Sequence, residues 1–304
     1  MPLFQIEKDK KLKLINEKPF KLEKEIQKLC EENLEKIFGL KFVKSEFYIH
    51  DFRIDTLAFD PQAKSFVIIE YKKDKRFSVI DQGYAYLALM LNNKADFILE
   101  YNENCKENLK RNEVDWTQSR VIFISPSFTT YQRESINFKD LPIELWEVKR
   151  FENNTISFVN LQPSGATESI KTISQSETLK RVSKEIKVYT EEDHLSSVSD
   201  EIKELYQKFK EAILNIGDNI TVKPTKKYIA FISRRNISDI RIQKNSLKIW
   251  INLKRGELDD PKRLARDVSN IGHWGNGDYE IRVLDDENLE YISSLIKQSY
   301  RKNS

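Results

Sequence analysis

Glycine, cysteine and histidine are scarce in this chain, and each scarcity removes a class of chemistry. Eight glycines in 304 residues leave little material for phosphate-cradling loops. Neither a GxxxxGKS/T nor a GxGxxG run occurs, so nucleotide-hydrolysing and dinucleotide-binding readings lose their main support. Only two cysteines are present, Cys30 and Cys105, with no CxxC spacing, which argues against both a disulfide framework and a structural zinc site. The three histidines, His50, His194 and His273, are scattered and form no HExxH pair. No apolar run approaches the roughly 20 residues that span a bilayer. The longest candidate, Ala85–Leu91, is far too short, and the first residues lack a basic region followed by an apolar one. Secretion and a membrane partner are therefore not expected, and a cytoplasmic location is.

Charge is abundant instead. Charged residues make up 33% and hydrophobic residues 39% of a chain long enough for two ordinary domains. The net charge of +3 and a pI near 8.5 permit nucleic-acid binding without indicating it, because that affinity depends on local cation clusters.

Leu22, Ile26, Leu29, Cys30, Asn33, Leu34 and Ile37 recur at helical spacing and predict a helix over Phe20–Phe38, with Gly39 as its stop. Extended segments are expected at Phe47–Phe59 and Phe66–Lys72, joined by the turn Asp60-Pro61-Gln62-Ala63-Lys64. Ser78–Leu91 reads as a helix. Strands are expected at Phe97–Tyr101, Val121–Ser125, Ile143–Val148 and Ile156–Leu161, with a short helix at Tyr131–Ser135. This order gives an α/β (α+β) fold, a mixed central sheet flanked by helices, over residues 1–162. Residues 163–192, rich in Ser, Thr, Lys and Glu, have linker composition, with a short helix around Ser176–Ile186. A smaller α+β domain is expected over 193–304. Its apolar stripe runs from Ile202 to Leu214, its strands lie at Tyr228–Ile232, Ser246–Leu253 and Tyr279–Val283, and its helices at Pro261–Val268 and Leu289–Tyr300.

The chemistry concentrates in the first domain. Residues two apart on a strand share a face, so Glu70 and Lys72 project together, opposite Tyr71. If the two extended segments pair through the proline turn, Asp55 approaches Glu70 across the hairpin. Adjacent carboxylates repel unless a cation offsets them. Mg²⁺ suits such a site, since it takes one or two carboxylates and keeps several waters, and the Tyr71 carbonyl offers another oxygen. Glu-x-Lys alone says little, because it recurs at Glu147–Lys149, Glu185–Lys187 and Glu201–Lys203. Its meaning comes from Asp55 ahead of the hairpin and from Gln82 and Tyr86 one helical turn apart behind it.

This combination resembles the PD-(D/E)XK, or restriction-endonuclease-like, nuclease superfamily in its RecB-like branch with a QxxxY motif. The resemblance spans roughly Phe20–Leu161 and implies a restriction-endonuclease-like core. It assigns Asp55 and Glu70 to metal binding, Lys72 to catalysis, and Gln82 and Tyr86 to contacting substrate or orienting the site. Ile54 stands where the motif has proline. A helix glutamate often precedes the hairpin in this family, and Glu23 and Glu25 compete for it. Glu23 falls inside the apolar arc of Leu22, Ile26, Cys30 and Ile37 and is preferred, although an acid favoured by the helix dipole is the plain alternative. Lys73, Lys75 and Arg76 follow the catalytic strand, either to hold the phosphate backbone or as a solvated loop. The implied activity is Mg²⁺-dependent phosphodiester hydrolysis, with Mn²⁺ as a substitute, on nucleic acid and DNA first, in restriction, defence or repair. A catalytically inactive binding or interaction module on the same fold is the alternative, and a homodimer is left open.

Residues from about Asp193 onward resemble a domain of unknown function often appended to such predicted nucleases. Its distinctive run, Asn270 to Tyr279, holds Gly272, His273, Trp274, Gly275 and Gly277. Trp274 is expected to pack on the core, with a base-stacking recognition loop as the alternative. Arg234, Arg235, Lys254 and Arg255 add positive charge to the loops around it.

Overall fold

A computed structural model describes residues 2–73, 77–163, 168–170 and 176–303. Two compact units make up the chain, Met1–Val188 and Tyr189–Ser304.

The first unit is built on a six-stranded mixed sheet in the order β3-β4-β5-β6-β7-β8. A two-stranded ribbon, β1 (Leu3–Ile6) and β2 (Leu12–Ile15), precedes helices α1 (Glu23–Glu31) and α2 (Leu34–Phe38). Strands β3 (Lys41–Ile49), β4 (Phe52–Asp60) and β5 (Ser65–Tyr71) form an antiparallel meander. Helices α3 (Val79–Asn92) and α4 (Lys94–Cys105) cross to β6 (Arg120–Ser125), and α5 (Thr130–Ser135) leads to β7 (Ile143–Arg150). Both of these strand pairings are parallel, as crossover connections require, and β8 (Ile156–Leu161) closes the edge antiparallel. All seven residues of β5 are buried, because each face of the sheet is covered. Val67, Ile69 and Tyr71 pack with Ile26, Cys30 and Leu34 of α1 and α2. Phe66 and Ile68 pack with Leu87 and Met90 of α3 and Phe97 of α4. Burying these large apolar side chains contributes about 1.5–3 kcal/mol each to the core.

Helix α3 lies unusually near the sheet at Gly83, where a Cβ would come within 2.5 Å of Ile143 Cδ1. The β4–β5 turn is held by Asp60, whose Oδ1 accepts from the backbone of Gln62 and Ala63 at 3.0 and 2.9 Å.

The second unit holds α7 (Glu191–Leu195), α8 (Asp200–Leu214), strands β9 (Thr221–Pro224), β10 (Ile229–Ile232), β11 (Asn236–Gln243), β12 (Ser246–Ile251), β13 (Arg266–Asp267) and β14 (Tyr279–Val283), and α9 (Leu289–Asn303). Its antiparallel sheet runs β13-β14-β12-β11-β10-β9. One face, carrying Ile229, Ile240, Ile249 and Ile281, packs on Phe209 and Ile213 of α8 and on Leu295 and Ile296 of α9.

Several elements differ from the sequence expectation. Phe97–Tyr101 is part of α4, since Phe97 and Tyr101 point inward at helical spacing while the exposed Leu99 faces out. The expected helix over Phe20–Phe38 is broken between Glu31 and Leu34, and Phe47–Phe59 is two strands joined at His50–Asp51, with His50 at φ 50°. Pro261–Val268 forms no helix. Asp260 instead accepts from Ala265 N at 2.8 Å and from the Tyr291 hydroxyl at 2.6 Å, pinning an irregular segment that ends in β13. The short helix expected around Ser176–Ile186 is present as α6 (Glu177–Glu185), but it inserts Leu179 and Val182 into the core of the first unit, followed by Ile186, where the composition of 163–192 predicts a linker.

Candidate active site

The β4–β5 ladder ends at Thr56–Ile69, and the next step along it brings Asp55 opposite Glu70. Here the Asp55 side chain takes over from the ladder: its Oδ2 accepts the Tyr71 backbone N–H at 3.1 Å. Asp55 Oδ1 faces Arg53 Nη2 at 3.6 Å. Gln27, buried on α1, donates from Nε2 to the Asp55 carbonyl at 2.9 Å and to Glu31 Oε1 at 3.0 Å. Thus α1 fixes the backbone of Asp55 while β5 fixes its carboxylate.

Glu70 is 3% exposed and Asp55 8%. Glu70 Oε1 receives Lys72 Nζ at 2.8 Å and Gln82 Nε2 at 3.4 Å. Its other oxygen, Oε2, is buried with no hydrogen-bond partner among the described residues. Burial pushes the Asp55 carboxyl above its ordinary pKa, and the Tyr71 N–H, Lys72 and Arg53 oppose that shift. Burial raises the Glu70 carboxyl too, the neighbouring Asp55 charge adds to the rise, and Lys72 and the Tyr86 hydroxyl oppose it. Both carboxylates are therefore held in a setting that disfavours their charge.

Gln82 and Tyr86 stand on the α3 face toward this pair. Gln82 Nε2 lies 3.3 Å from the Tyr86 hydroxyl, which donates to the Arg53 carbonyl at 3.4 Å. Burial and the Glu70 charge raise the Tyr86 phenol well above its ordinary value, so it remains a neutral donor. Tyr71 itself points to the opposite face, where its hydroxyl receives Thr56 Oγ1 at 3.3 Å.

Glu23 does not occupy the buried face expected of it. It is exposed at the first turn of α1, ahead of the packed stripe that starts at Ile26, and its Oε1 accepts the Lys73 N–H at 2.7 Å. Its charge is nonetheless close enough to raise the Asp55 carboxyl. Glu25 turns away to Arg150 Nη1 at 3.1 Å. Lys73 is exposed and its Nζ donates to the Lys21 carbonyl at 2.7 Å, whereas Lys75 and Arg76 lie outside the described residues.

Gln27 and Arg53 were not singled out from the sequence. Glu23, Gln27 and Glu31 recur every fourth residue, a polar row along an otherwise amphipathic helix, and that row is the signal that marks Gln27.

Among the described residues, no group of three His, Cys, Asp or Glu side chains is gathered to hold one metal ion. The donor set is two carboxylates. That number fits Mg²⁺, which binds through one or two carboxylates and retains waters, better than a metal needing an all-protein cage. Glu70 Oε2, which has no hydrogen-bond partner among the described residues, supplies a buried oxygen whose charge Lys72 and the Tyr86 hydroxyl nearby offset.

Residues 191–303 match the family described as a domain of unknown function, DUF5655. An uncharacterized protein of Haemophilus influenzae is 56% identical over 291 residues, covering 95% of this chain and 96% of that protein. Two solved structures are similar over part of the chain. One is a repair endonuclease from Pyrococcus abyssi, at 20% identity and TM-score 0.23, covering 40% of this chain and 45% of that one. The other is an EndoMS–dsDNA complex, at 20% identity and TM-score 0.20, covering 38% and 41%. The chain thus spans less than half the length of either structure. Among the described residues, no helix is long and apolar enough to cross a membrane.

Proposed function

The chain belongs to the family that includes the Haemophilus influenzae protein, and for this member we propose a divalent-metal-dependent nuclease that hydrolyses phosphodiester bonds in DNA. The observation that carries the reading is the buried Glu70 Oε2, without a hydrogen bond and beside the Asp55 carboxylate, with Lys72 on the same oxygen cluster. Such an arrangement costs stability as it stands and is most simply understood as a cation site.

Asp55, Glu70 and the Tyr71 carbonyl are the oxygens that would hold Mg²⁺ or Mn²⁺. A bound ion would supply Lewis acidity toward a phosphoryl oxygen and the charge of the transition state. Lys72, held by Glu70, presents a positive charge and N–H donors to the attacking water and the phosphate. Gln82 and Tyr86 hold the Glu70 oxygen in place from α3, in keeping with the QxxxY pattern of the RecB-like branch. Glu23, coupled to Lys73 at the mouth of the site, steadies the chain where substrate phosphates would pass. A role in restriction, defence or repair is suggested by the family resemblance alone.

The test is incubation of purified protein with single-stranded, duplex and branched DNA plus Mg²⁺ or Mn²⁺, beside Asp55→Ala and Lys72→Ala. Metal-dependent cleavage by the wild type alone supports the proposal. Equal cleavage by all three proteins marks a contaminant, and binding without cleavage favours an inactive module on the same fold.

A further inference from the structure

In the second unit the helices cover one face of the sheet, and the opposite face carries a different population of side chains. The registers align Arg241 with Lys248 and Lys248 with Arg282 across β11, β12 and β14. Three cations directly opposite one another on adjacent strands repel, so such a row opposes folding unless an anion meets it. Glu280, in the neighbouring row, takes up part of this charge through Lys248 at 3.2 Å and is itself shared with Arg266 at 3.0 Å. A groove of about 510 Å³ opens on this face, lined by Gln243, Lys248, Arg266, Glu280 and Arg282.

The glycine-rich loop lies across the same face. Gly275 rests on Trp250, where a Cβ would come within 2.3 Å of the indole, and the Asn276 N–H is anchored to buried Asp239 at 2.8 Å. His273 stacks over Trp250, with ring centroids 6.5 Å apart. These anchors turn Trp274 outward. It is 52% exposed, contrary to the expectation that it packs on the core. Lys227 Nζ lies over its ring at 4.2 Å from the centroid and the Arg241 guanidinium at 5.9 Å, so a base stacking there takes the place of the Lys227 ammonium.

We propose that this helix-free sheet face binds single-stranded nucleic acid, one base stacking on Trp274 and the phosphates meeting Arg241, Lys248 and Arg282. A half-exposed indole beside a cationic track is what unpaired bases and their backbone require together. An acidic peptide would use the cations but not the ring, and a duplex keeps its bases away from the indole. The inference goes beyond the nuclease reading and stands without it.

The experiment is fluorescence anisotropy of a labelled oligothymidylate with the full chain in EDTA, so that cleavage plays no part. Trp274→Ala weakens binding by about tenfold or more and removes the quenching of tryptophan emission on binding. Trp274→Phe restores most of the affinity. Arg241→Gln lowers the slope of log affinity against log salt by about 0.7. Lys208→Gln, on α8 of the helical side, changes neither. No oligonucleotide binding, or binding indifferent to Trp274→Ala and Arg241→Gln, overturns the proposal. So does displacement by polyglutamate together with insensitivity to Trp274→Ala, which would identify a general polyanion surface. A wild type that binds here but cleaves nothing with Mg²⁺ overturns the nuclease reading alone.

Discussion

The Asp55 carboxylate completes the β4–β5 pairing by accepting the Tyr71 backbone N–H at 3.1 Å, so one side chain serves both the sheet and the candidate metal site. These two roles separate by substitution. Asp55→Asn keeps an acceptor for the N–H and should unfold in urea close to the wild type, while Mg²⁺-dependent cleavage falls by two or more orders of magnitude, roughly the loss when an electrostatic catalytic group is removed. Asp55→Ala leaves that buried N–H unpaired and should lose about 1–3 kcal/mol of stability in addition.

Glu70 gives a pH-dependent prediction. Its carboxyl pKa is raised in the folded chain by burial and by Asp55, so the folded state binds more protons than the unfolded state above the ordinary carboxylate value. Stability therefore falls as pH rises through that window. Glu70→Gln should be more stable than the wild type at pH 7 without metal. The advantage should shrink below about pH 4, where both states are protonated. Urea midpoints at several pH values check this, and a destabilised Glu70→Gln at neutral pH contradicts it.

Gln27 is predicted to be a positioning residue. Its amide holds the Asp55 carbonyl inside the protein, and Gln27→Ala should cost about 1–2 kcal/mol for the buried acceptor left behind. Cleavage should weaken with little change in oligonucleotide affinity, read as kcat falling while KM stays.

Gly275→Ala tests the loop that carries Trp274. A methyl group 2.3 Å from the Trp250 ring meets the rigid base of that side chain, not a flexible tip. Overpacking of this kind costs about 1–3 kcal/mol, and the loop should lift, shifting the Trp250 emission to the red. Gly272→Ala, where a Cβ meets nothing within 4 Å, should leave both stability and emission unchanged.

The sequence carried the order of the site but not its supports. Asp55, the Asp60 turn and Glu70-x-Lys72 were legible because strand alternation and turn chemistry are local rules. Gln82 and Tyr86 were legible from helical spacing. Gln27 was not, since its importance lies in a contact with a carbonyl 28 residues away. Glu23 was misplaced because a helical wheel does not say where the packed face begins. Phe97–Tyr101 has the aromatic and branched composition of a strand, and tertiary burial of Phe97 and Tyr101 made it helical. Trp274 was expected inside because aromatics usually are, yet the space beneath the loop is already filled by Trp250 and His273.

The proposed nuclease chemistry requires Asp55 and Glu70 to share one divalent cation. Titration of the protein with Mn²⁺, followed by electron paramagnetic resonance of the free ion, tests it directly. The predicted result is one Mn²⁺ bound per chain, displaced by Mg²⁺ and lost in both Asp55→Asn and Glu70→Gln. Binding that survives both substitutions, or no binding by the wild type, would contradict the account.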